Sequence, residues 1–153
     1  MTPGVAIWDK ANVEGKARFP RHRRAGQGLR PAAEGGGADV IVVSCHSGAD
    51  TSSSYGDALP YPENASTLLA EQVPDIDAIL VGHAHREIPQ RKVTNLATGK
   101  QVLLSEPLYW GMRVSALSLA LRKVKSRWVV DDVASTATLY NANTVPEDPR
   151  SPA

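Results

Sequence analysis

Two short apolar runs that each lead into histidine constrain the fold of this chain more than any other feature. Residues 40–43 form a continuous β-branched run, Val-Ile-Val-Val, and Ser-Cys-His follows it. Residues 76–81 form a second, largely apolar run, which leads into Gly-His-Ala-His at residues 82–85. Runs of this length and composition predict strands that are buried on both faces.

The segment between the two runs predicts a helix over residues 63–73. Asn64 is placed to cap it, and Pro74 would end it because the residue before a proline disfavours helical backbone angles. The apolar residues at helical spacing are Leu68, Leu69 and Val73. A strand, a helix and a strand in this order predict a βαβ unit with parallel strands and a right-handed crossover.

The second half of the chain predicts antiparallel strands. Residues 92–95 and 101–105 flank Ala-Thr-Gly-Lys, a sequence typical of a hairpin turn. Residues 112–121 and 127–133 alternate apolar and polar side chains, as half-exposed strands do, with a turn around Ser126. The fold class predicted from the whole pattern is α/β.

Composition limits the class of protein and its partners. The chain has 153 residues, 42% hydrophobic and 22% charged, so one domain with a core is expected. A net charge of +1 predicts no strong attraction to nucleic acid or membrane, and no apolar run reaches the roughly 20 residues that cross a bilayer. No signal-peptide pattern is visible. Cys45 is the only cysteine, which excludes an internal disulfide and predicts a buried strand residue.

The same patterns divide the chain into four segments. These are an irregular first segment (residues 1–19), a basic segment (20–37), a structured region (38–140) and a linker or tail (141–153). The basic segment is rich in Arg, Gly and Pro, which predicts a flexible loop. A second hypothesis is a local frameshift in its coding sequence, because some codon choices would encode an amphipathic helix in the neighbouring frame. Stop codons in that frame of the DNA would contradict the frameshift.

Three of the four histidines follow the predicted strands. His46 follows the first, whereas His83 and His85 follow the second, and the carboxyl ends of parallel strands are where open α/β sheets bind ligands. Imidazole nitrogen binds Zn²⁺, Mn²⁺ and Fe ions, so a metal site is predicted, with loop histidines that bind backbone groups as the alternative. His22 lies in the basic segment and receives no role. Acidic residues available to support the site are Asp50, Asp77, Glu87 and Glu106.

Both histidine blocks resemble those of a known family. Ser-Cys-His-Ser-Gly at residues 44–48 is similar to the S-x-H-S-G block of calcineurin-like metallophosphoesterases, and residues 82–85 are similar to their G-H-x-H block. The resemblance is strongest to the group of 5′-nucleotidases and 2′,3′-cyclic-nucleotide 2′-phosphodiesterases/3′-nucleotidases. It covers about residues 2–19 and 38–148, with further matching segments at residues 2–8, 64–65, 106–111 and 143–146.

The resemblance implies a fold, a metal centre and a substrate class. The fold would be part of a four-layer α/β/β/α sandwich, and the complete site would hold two divalent ions of Zn, Mn or Fe type. His46 and His83 would bind one ion and His85 the other, whereas the substrate, a nucleotide or other phosphate ester, would lie near Tyr109, Trp110 and Gly111. For Trp110, a packed aromatic beside Met112 is the alternative.

Other family blocks are absent from the sequence. None of D-x-H, G-D-x-x-D or G-N-H-[D/E] occurs, so no catalytic residue is assigned and the site is expected to be partial. The chain is therefore expected to be the C-terminal half of the catalytic domain, with the missing N-terminal half as a partner and little activity alone. Members of the family are often periplasmic or secreted. No signal-peptide pattern is visible in this chain, so its location stays open. Two alternatives are a non-catalytic remnant that binds phosphate or nucleic acid through residues 18–30, and a defunct gene product.

Overall fold

The computed structural model describes residues 10–13, 15, 37–50, 53 and 62–150. The elements in chain order are α1 (Lys10–Val13), β1 (Val42–Cys45), α2 (Ser66–Gln72), β2 (Ala78–Val81), β3 (Glu87–Thr94), β4 (Gln101–Pro107), β5 (Arg113–Val124), β6 (Arg127–Asn141) and a 3-10 turn (Ala142–Thr144). Residues 20–36, on which the flexible-loop and frameshift hypotheses rest, lie outside the described residues, as does most of the first segment.

The main sheet has the strand order β1-β2-β4-β3. β1 pairs with β2 and β2 pairs with β4 in parallel, whereas β3 and β4 form an antiparallel hairpin. The predicted parallel βαβ unit and the predicted hairpin are both confirmed. β5 and β6 form a second antiparallel sheet, which confirms the alternating pattern of the second half, although both strands extend beyond their predicted ends.

Three layers follow from how the faces of the main sheet are covered. One face packs against α2, through Leu69 of the helix, Val73 directly after it, and Ile79 and Leu104 of the sheet. The other face packs against the second sheet, where Leu103 belongs to the same cluster as residues of β5 and β6. This α/β/β arrangement confirms the predicted α/β fold class.

β1 differs from its prediction in position and in burial. It runs from Val42 to Cys45 rather than over residues 40–43, and Cys45 is buried as predicted. Val42 and Ser44 are exposed, so burial on both faces is wrong for this strand. The reason is that the second sheet packs over β2 and β4, while β1 is the last described strand of its sheet.

The predicted start and cap of the helix are also wrong. α2 begins at Ser66 rather than at residue 63, and Asn64 does not cap it. The Asn64 side chain instead accepts the Gly48 N–H over 2.8 Å. Ser47 takes over the helix start, because its hydroxyl accepts the Ala65 N–H over 2.9 Å. Asn64 therefore binds the loop after β1 instead of capping the helix, although its side chain favours a cap.

Two further observations concern membrane-spanning helices and the C-terminal end of the described residues. No helix among the described residues is long and apolar enough to cross a membrane. Residues 145–150 are exposed and lie in neither helix nor strand. β6 ends at Asn141, the first residue of the predicted tail, and a 3-10 turn follows at Ala142–Thr144.

Asp77 provides a prediction about stability against pH. Its Oδ2 accepts the Ile41 N–H over 2.8 Å, and burial raises the pKa of its carboxyl group above the ordinary value. The folded chain therefore holds this proton to a higher pH than the unfolded chain does. The contribution of Asp77 to stability falls as pH rises from its unfolded pKa through its raised folded pKa. Asp77→Asn keeps an acceptor for Ile41 and has no proton to lose.

We expect Asp77→Asn to gain stability relative to the wild type as pH rises through that window. The measurement is urea unfolding of both proteins at several pH values between 3.5 and 7, roughly the range in which a raised Asp pKa would act. Other titrating groups cancel in the difference between the two proteins. A difference that stays constant with pH would contradict the prediction.

Candidate functional site

The two histidine blocks lie side by side at the carboxyl ends of β1 and β2. Cys45 pairs with Val81 in the parallel ladder, and the Gly82 N–H donates to the Cys45 carbonyl over 3.2 Å. The rings of His46 and His83 consequently meet, with centroids 5.1 Å apart and planes inclined at 68°. The expectation that the strand order brings these two histidines together is met.

Residues 82–85, named here the histidine turn, have a strained backbone. The φ angle is 86° at His83 and 56° at His85, in the left-handed region, where such outliers cost about 1–3 kcal/mol each. Gly82 lies close to the first histidine block, since a Cβ there would sit 3.4 Å from Nδ1 of His46. A strained turn of this kind persists only where surrounding contacts hold it in place.

Glu63 is the first of these contacts. Its Oε1 lies 2.5 Å from Nε2 of His83, and the two side chains are 3% and 13% exposed. The helical pattern of the sequence places Glu63 at the start of the predicted helix and gives no indication of this contact. An acidic residue near a helix start is common, so the sequence carried no signal that would have separated the two roles.

Glu106 is the second contact. It is fully buried at the end of β4, and its Oε1 accepts the Arg86 N–H over 3.3 Å, just after the histidine turn. The Ala84 N–H contributes a second backbone interaction with this carboxylate. Burial raises the pKa of Glu106. Among the described residues, its buried Oε2 accepts no hydrogen bond. Glu106 therefore supports the backbone of the turn, consistent with its predicted supporting role.

Two other predicted acidic partners, Asp77 and Glu87, make their contacts elsewhere. Asp77 precedes β2 and thus lies at the opposite end of the strand, which makes its predicted role wrong. Glu87 instead pairs with Arg113, whose Nε lies 3.2 Å from its Oε1. Asp50 is exposed after the first histidine block.

Aromatic side chains flank the other histidine of the turn. The ring centroids of His85 and Tyr109 are 5.1 Å apart, and those of Tyr109 and Trp110 are 4.9 Å apart at an interplanar angle of 86°. Trp110 is 89% exposed, so the alternative of a packed aromatic beside Met112 is wrong. Gly111 has a φ of 70°, which allows the tight turn that presents these rings.

The loop that carries the aromatic rings is tied to the histidine turn. The Leu108 N–H donates to the Arg86 carbonyl over 2.9 Å. Leu108 and Trp110 both have positive φ angles, of 64° and 54°. Two strained loops thus meet at the carboxyl ends of the strands of the main sheet, and strained backbone is common at binding sites.

The electrostatics of the pair formed by His46 and His83 suit metal binding. Partial burial lowers the pKa of His46, and the neighbouring His83 lowers it further, which favours the neutral form of the His46 imidazole. A neutral imidazole has a lone pair available for a metal ion. Two rings with centroids 5.1 Å apart can share one ion, because the metal–nitrogen bond is about 2.0–2.2 Å long.

The fit to a metal centre is partial. Within the part of the chain that the structure describes, no group of three or more His, Cys, Asp or Glu side chains is arranged to hold an ion. The pair of His46 and His83 fits one part of such a centre, and the ring of His85 lies against Tyr109 beside it. Further ligands would have to come from outside the described residues.

Curated relatives of the chain act on nucleotides. It is 31% identical over 139 residues to the 2′,3′-cyclic-nucleotide 2′-phosphodiesterase/3′-nucleotidase of Haemophilus influenzae, a match covering 85% of this chain and 20% of that protein. It is 29% identical to the trifunctional nucleotide phosphoesterase YfkN of Bacillus subtilis, over 86% of this chain and 9% of that protein. The chain thus spans about a fifth or less of the curated relatives it matches. No protein-family model matches the chain.

Solved structures share the fold. The calcineurin-like phosphoesterase YfkN of Bacillus subtilis superposes with a TM-score of 0.76 at 27% identity, over 95% of this chain and 44% of that chain. A 5′-nucleotidase precursor of Thermus thermophilus superposes with a TM-score of 0.59 at 23% identity, over 85% and 25% of the two chains. The second similarity shows the fold alone.

Proposed function

Because this chain belongs to the calcineurin-like metallophosphoesterases, in the group of 5′-nucleotidases and 2′,3′-cyclic-nucleotide 2′-phosphodiesterases/3′-nucleotidases, we propose that it supplies part of a two-metal site for hydrolysing nucleotide phosphate esters. The observation that carries the proposal is the contact between His46 and His83 at the ends of neighbouring parallel strands. Their spacing and the lowered pKa of His46 suit one divalent ion.

Each residue of the site has a separate proposed role in binding metal or substrate. His46 and His83 hold one ion, and His85, which points from the same turn toward Tyr109, contributes to the second. The exposed Trp110, with Tyr109 packed edge-on against it, offers an aromatic surface for a nucleobase. Gly111 allows the backbone turn that presents this surface.

The chemistry expected of a complete site depends on residues that this chain lacks. Divalent ions in such sites neutralise the charge on the phosphoryl oxygens and lower the pKa of water. This chain contributes imidazoles and an aromatic contact, but it contains no D-x-H, G-D-x-x-D or G-N-H-[D/E] block. We therefore propose that the isolated chain binds metal weakly and has little or no activity, and that turnover requires a partner segment with those blocks, in the same polypeptide or in another.

Metal titration of the purified chain tests this proposal. We expect weak, sub-stoichiometric binding of Mn²⁺ or Zn²⁺ by calorimetry, and no measurable hydrolysis of a 2′,3′-cyclic nucleotide. His46→Gln and His83→Gln should each abolish the metal signal, because removing either imidazole leaves one ligand of the pair.

The matched control is His22→Gln, which removes a histidine without a proposed role. It should bind metal as the wild type does. Equal loss in all three variants would indicate unspecific binding by surface imidazoles and would contradict the site. Robust turnover of a nucleotide by the purified chain would contradict its proposed dependence on a partner.

A further inference from the structure

The side chain of Glu63 is buried although Glu63 lies before α2 and does not cap it. Glu63 is 2% exposed, and glutamate is rarely buried to this extent without a partner. Burying a carboxylate costs stability unless hydrogen bonds compensate it. The helix begins three residues later, at Ser66, without a side-chain cap. The carboxylate instead meets Nε2 of His83 at 2.5 Å.

The backbone around Glu63 is bound to the first histidine block. The Ser47 hydroxyl donates to the Glu63 carbonyl over 2.7 Å, and the Asn64 side chain accepts the Gly48 N–H. Ser66 adds two bonds to the same loop, from its hydroxyl to the Ser47 carbonyl at 2.5 Å and from its N–H to the Gly48 carbonyl at 3.0 Å. Glu63 is thus fixed relative to the residues that directly follow His46.

These contacts connect the two histidine blocks through one carboxylate. The loop after His46 fixes Glu63, and Glu63 fixes the ring of His83 that faces His46. His83 also has a φ angle of 86°, so its orientation needs such support. A carboxylate that accepts a hydrogen bond from one imidazole N–H determines the tautomer and leaves the lone pair on the other nitrogen.

We propose that Glu63 is the positioning residue of His83: it accepts a hydrogen bond from Nε2–H, which favours the tautomer whose lone pair is on Nδ1. The role in metal binding rests on the proposed function, whereas the role in setting the tautomer does not. Removing a partner of this kind commonly weakens metal affinity by about 10–100-fold.

Nitrogen-15 NMR of the imidazoles tests the tautomer, and calorimetry with Mn²⁺ and Zn²⁺ tests the affinity. In the wild type we expect the Nε2–H tautomer at His83, with an Nε2–H proton protected from exchange with water. Glu63→Ala should lose this protection and weaken metal binding by about 10–100-fold. Glu147→Gln removes an exposed carboxylate of the tail and serves as the control, with both readouts unchanged.

Glu63→Gln is the second variant, in case the alanine variant does not fold. Its amide oxygen can still accept the hydrogen bond from Nε2–H, so the tautomer should persist with a weaker hydrogen bond and an Nε2–H signal shifted upfield. Metal affinity should fall by a smaller factor than in Glu63→Ala. Folding of each variant is checked by protection of the buried Cys45 thiol from a thiol reagent.

The outcomes separate this inference from the proposed function. A protected Nε2–H without any metal binding by the wild type would contradict the metal site and support the positioning role. Metal binding that is abolished by His83→Gln but unchanged in both Glu63 variants would overturn the positioning role and support the site. An Nδ1–H tautomer at His83 in the wild type would also overturn the inference.

Discussion

An Asn95→Ala variant is expected to lose about 2–4 kcal/mol of its free energy of unfolding, because it leaves several buried polar groups without partners. Asn95 lies in the β3–β4 turn and is 1% exposed. Its side-chain amide donates to the carbonyls of Ala70 and Val73, at 2.7 and 2.9 Å. Its oxygen accepts three more hydrogen bonds, from Ala97 and from the backbone and hydroxyl of Thr98.

The large effect follows from what those bonds connect. The last carbonyls of a helix have no partner within the helix, and here the hairpin turn supplies them. Asn95 binds the carbonyl of Ala70, and the Leu96 N–H binds that of Glu71 over 2.9 Å. One side chain therefore satisfies the end of α2 and shapes the turn that docks on it.

Two companion variants sharpen this test, with urea unfolding followed by circular dichroism as the measurement. Thr98→Ala removes one exposed partner and should cost less than about 1 kcal/mol. Asn95→Asp keeps the acceptor but directs a carboxylate oxygen at two carbonyls, so it should be at least as destabilising as Asn95→Ala. The prediction would be contradicted if Asn95→Ala cost no more than Thr98→Ala.

The sequence contained enough information to predict the main architecture around the histidines. Residues 40–43 and 76–81 predicted parallel strands because apolar runs of that length suit a covered sheet, and their carboxyl ends place His46 and His83 at the same end of that sheet. Such patterns depend on the spacing of apolar residues along the chain and on the order of its helices and strands. They do not depend on which distant residues come into contact.

The predictions that failed depend on distant contacts. Asn64 has the chemistry of a helix cap, yet the Gly48 N–H competes for its oxygen and Ser47 replaces it at the helix start. Val42 has the side chain of a covered strand residue but lies where the second sheet does not reach. Glu63 could be recognised only once His83 was placed beside it.

Gly48→Ala is expected to disrupt the candidate site more than any other single methyl group added to a described glycine. A Cβ on Gly48 would lie 2.5 Å from Cβ of Ala84 and 2.5 Å from Oδ1 of Asn64, distances that real Cβ atoms essentially never show. Ala84 lies between the two histidines of the histidine turn, so relief of the clash would move that turn away from His46. Overpacking of this kind costs about 1–3 kcal/mol.

The expected result is a loss of metal binding together with the loss of stability. The measurements are urea unfolding, Mn²⁺ and Zn²⁺ calorimetry, and the NMR cross-peaks between the rings of His46 and His83. These cross-peaks should weaken or disappear in Gly48→Ala, because their ring centroids are only 5.1 Å apart in the native arrangement. Removing the Ala84 methyl group in the double variant Gly48→Ala/Ala84→Gly should restore part of the signal. Recovery should be incomplete, since the contact with Asn64 remains.

Gly99→Ala is the matched control, because it adds the same methyl group where space is open but the backbone is unfavourable. No atom lies within 4 Å of a Cβ at Gly99, and its φ angle is 72°. It should lose about 1 kcal/mol through backbone strain and bind metal as the wild type does. If Gly48→Ala and Gly99→Ala had the same metal affinity and the same ring cross-peaks, close packing at Gly48 would not be what holds the histidine turn against His46.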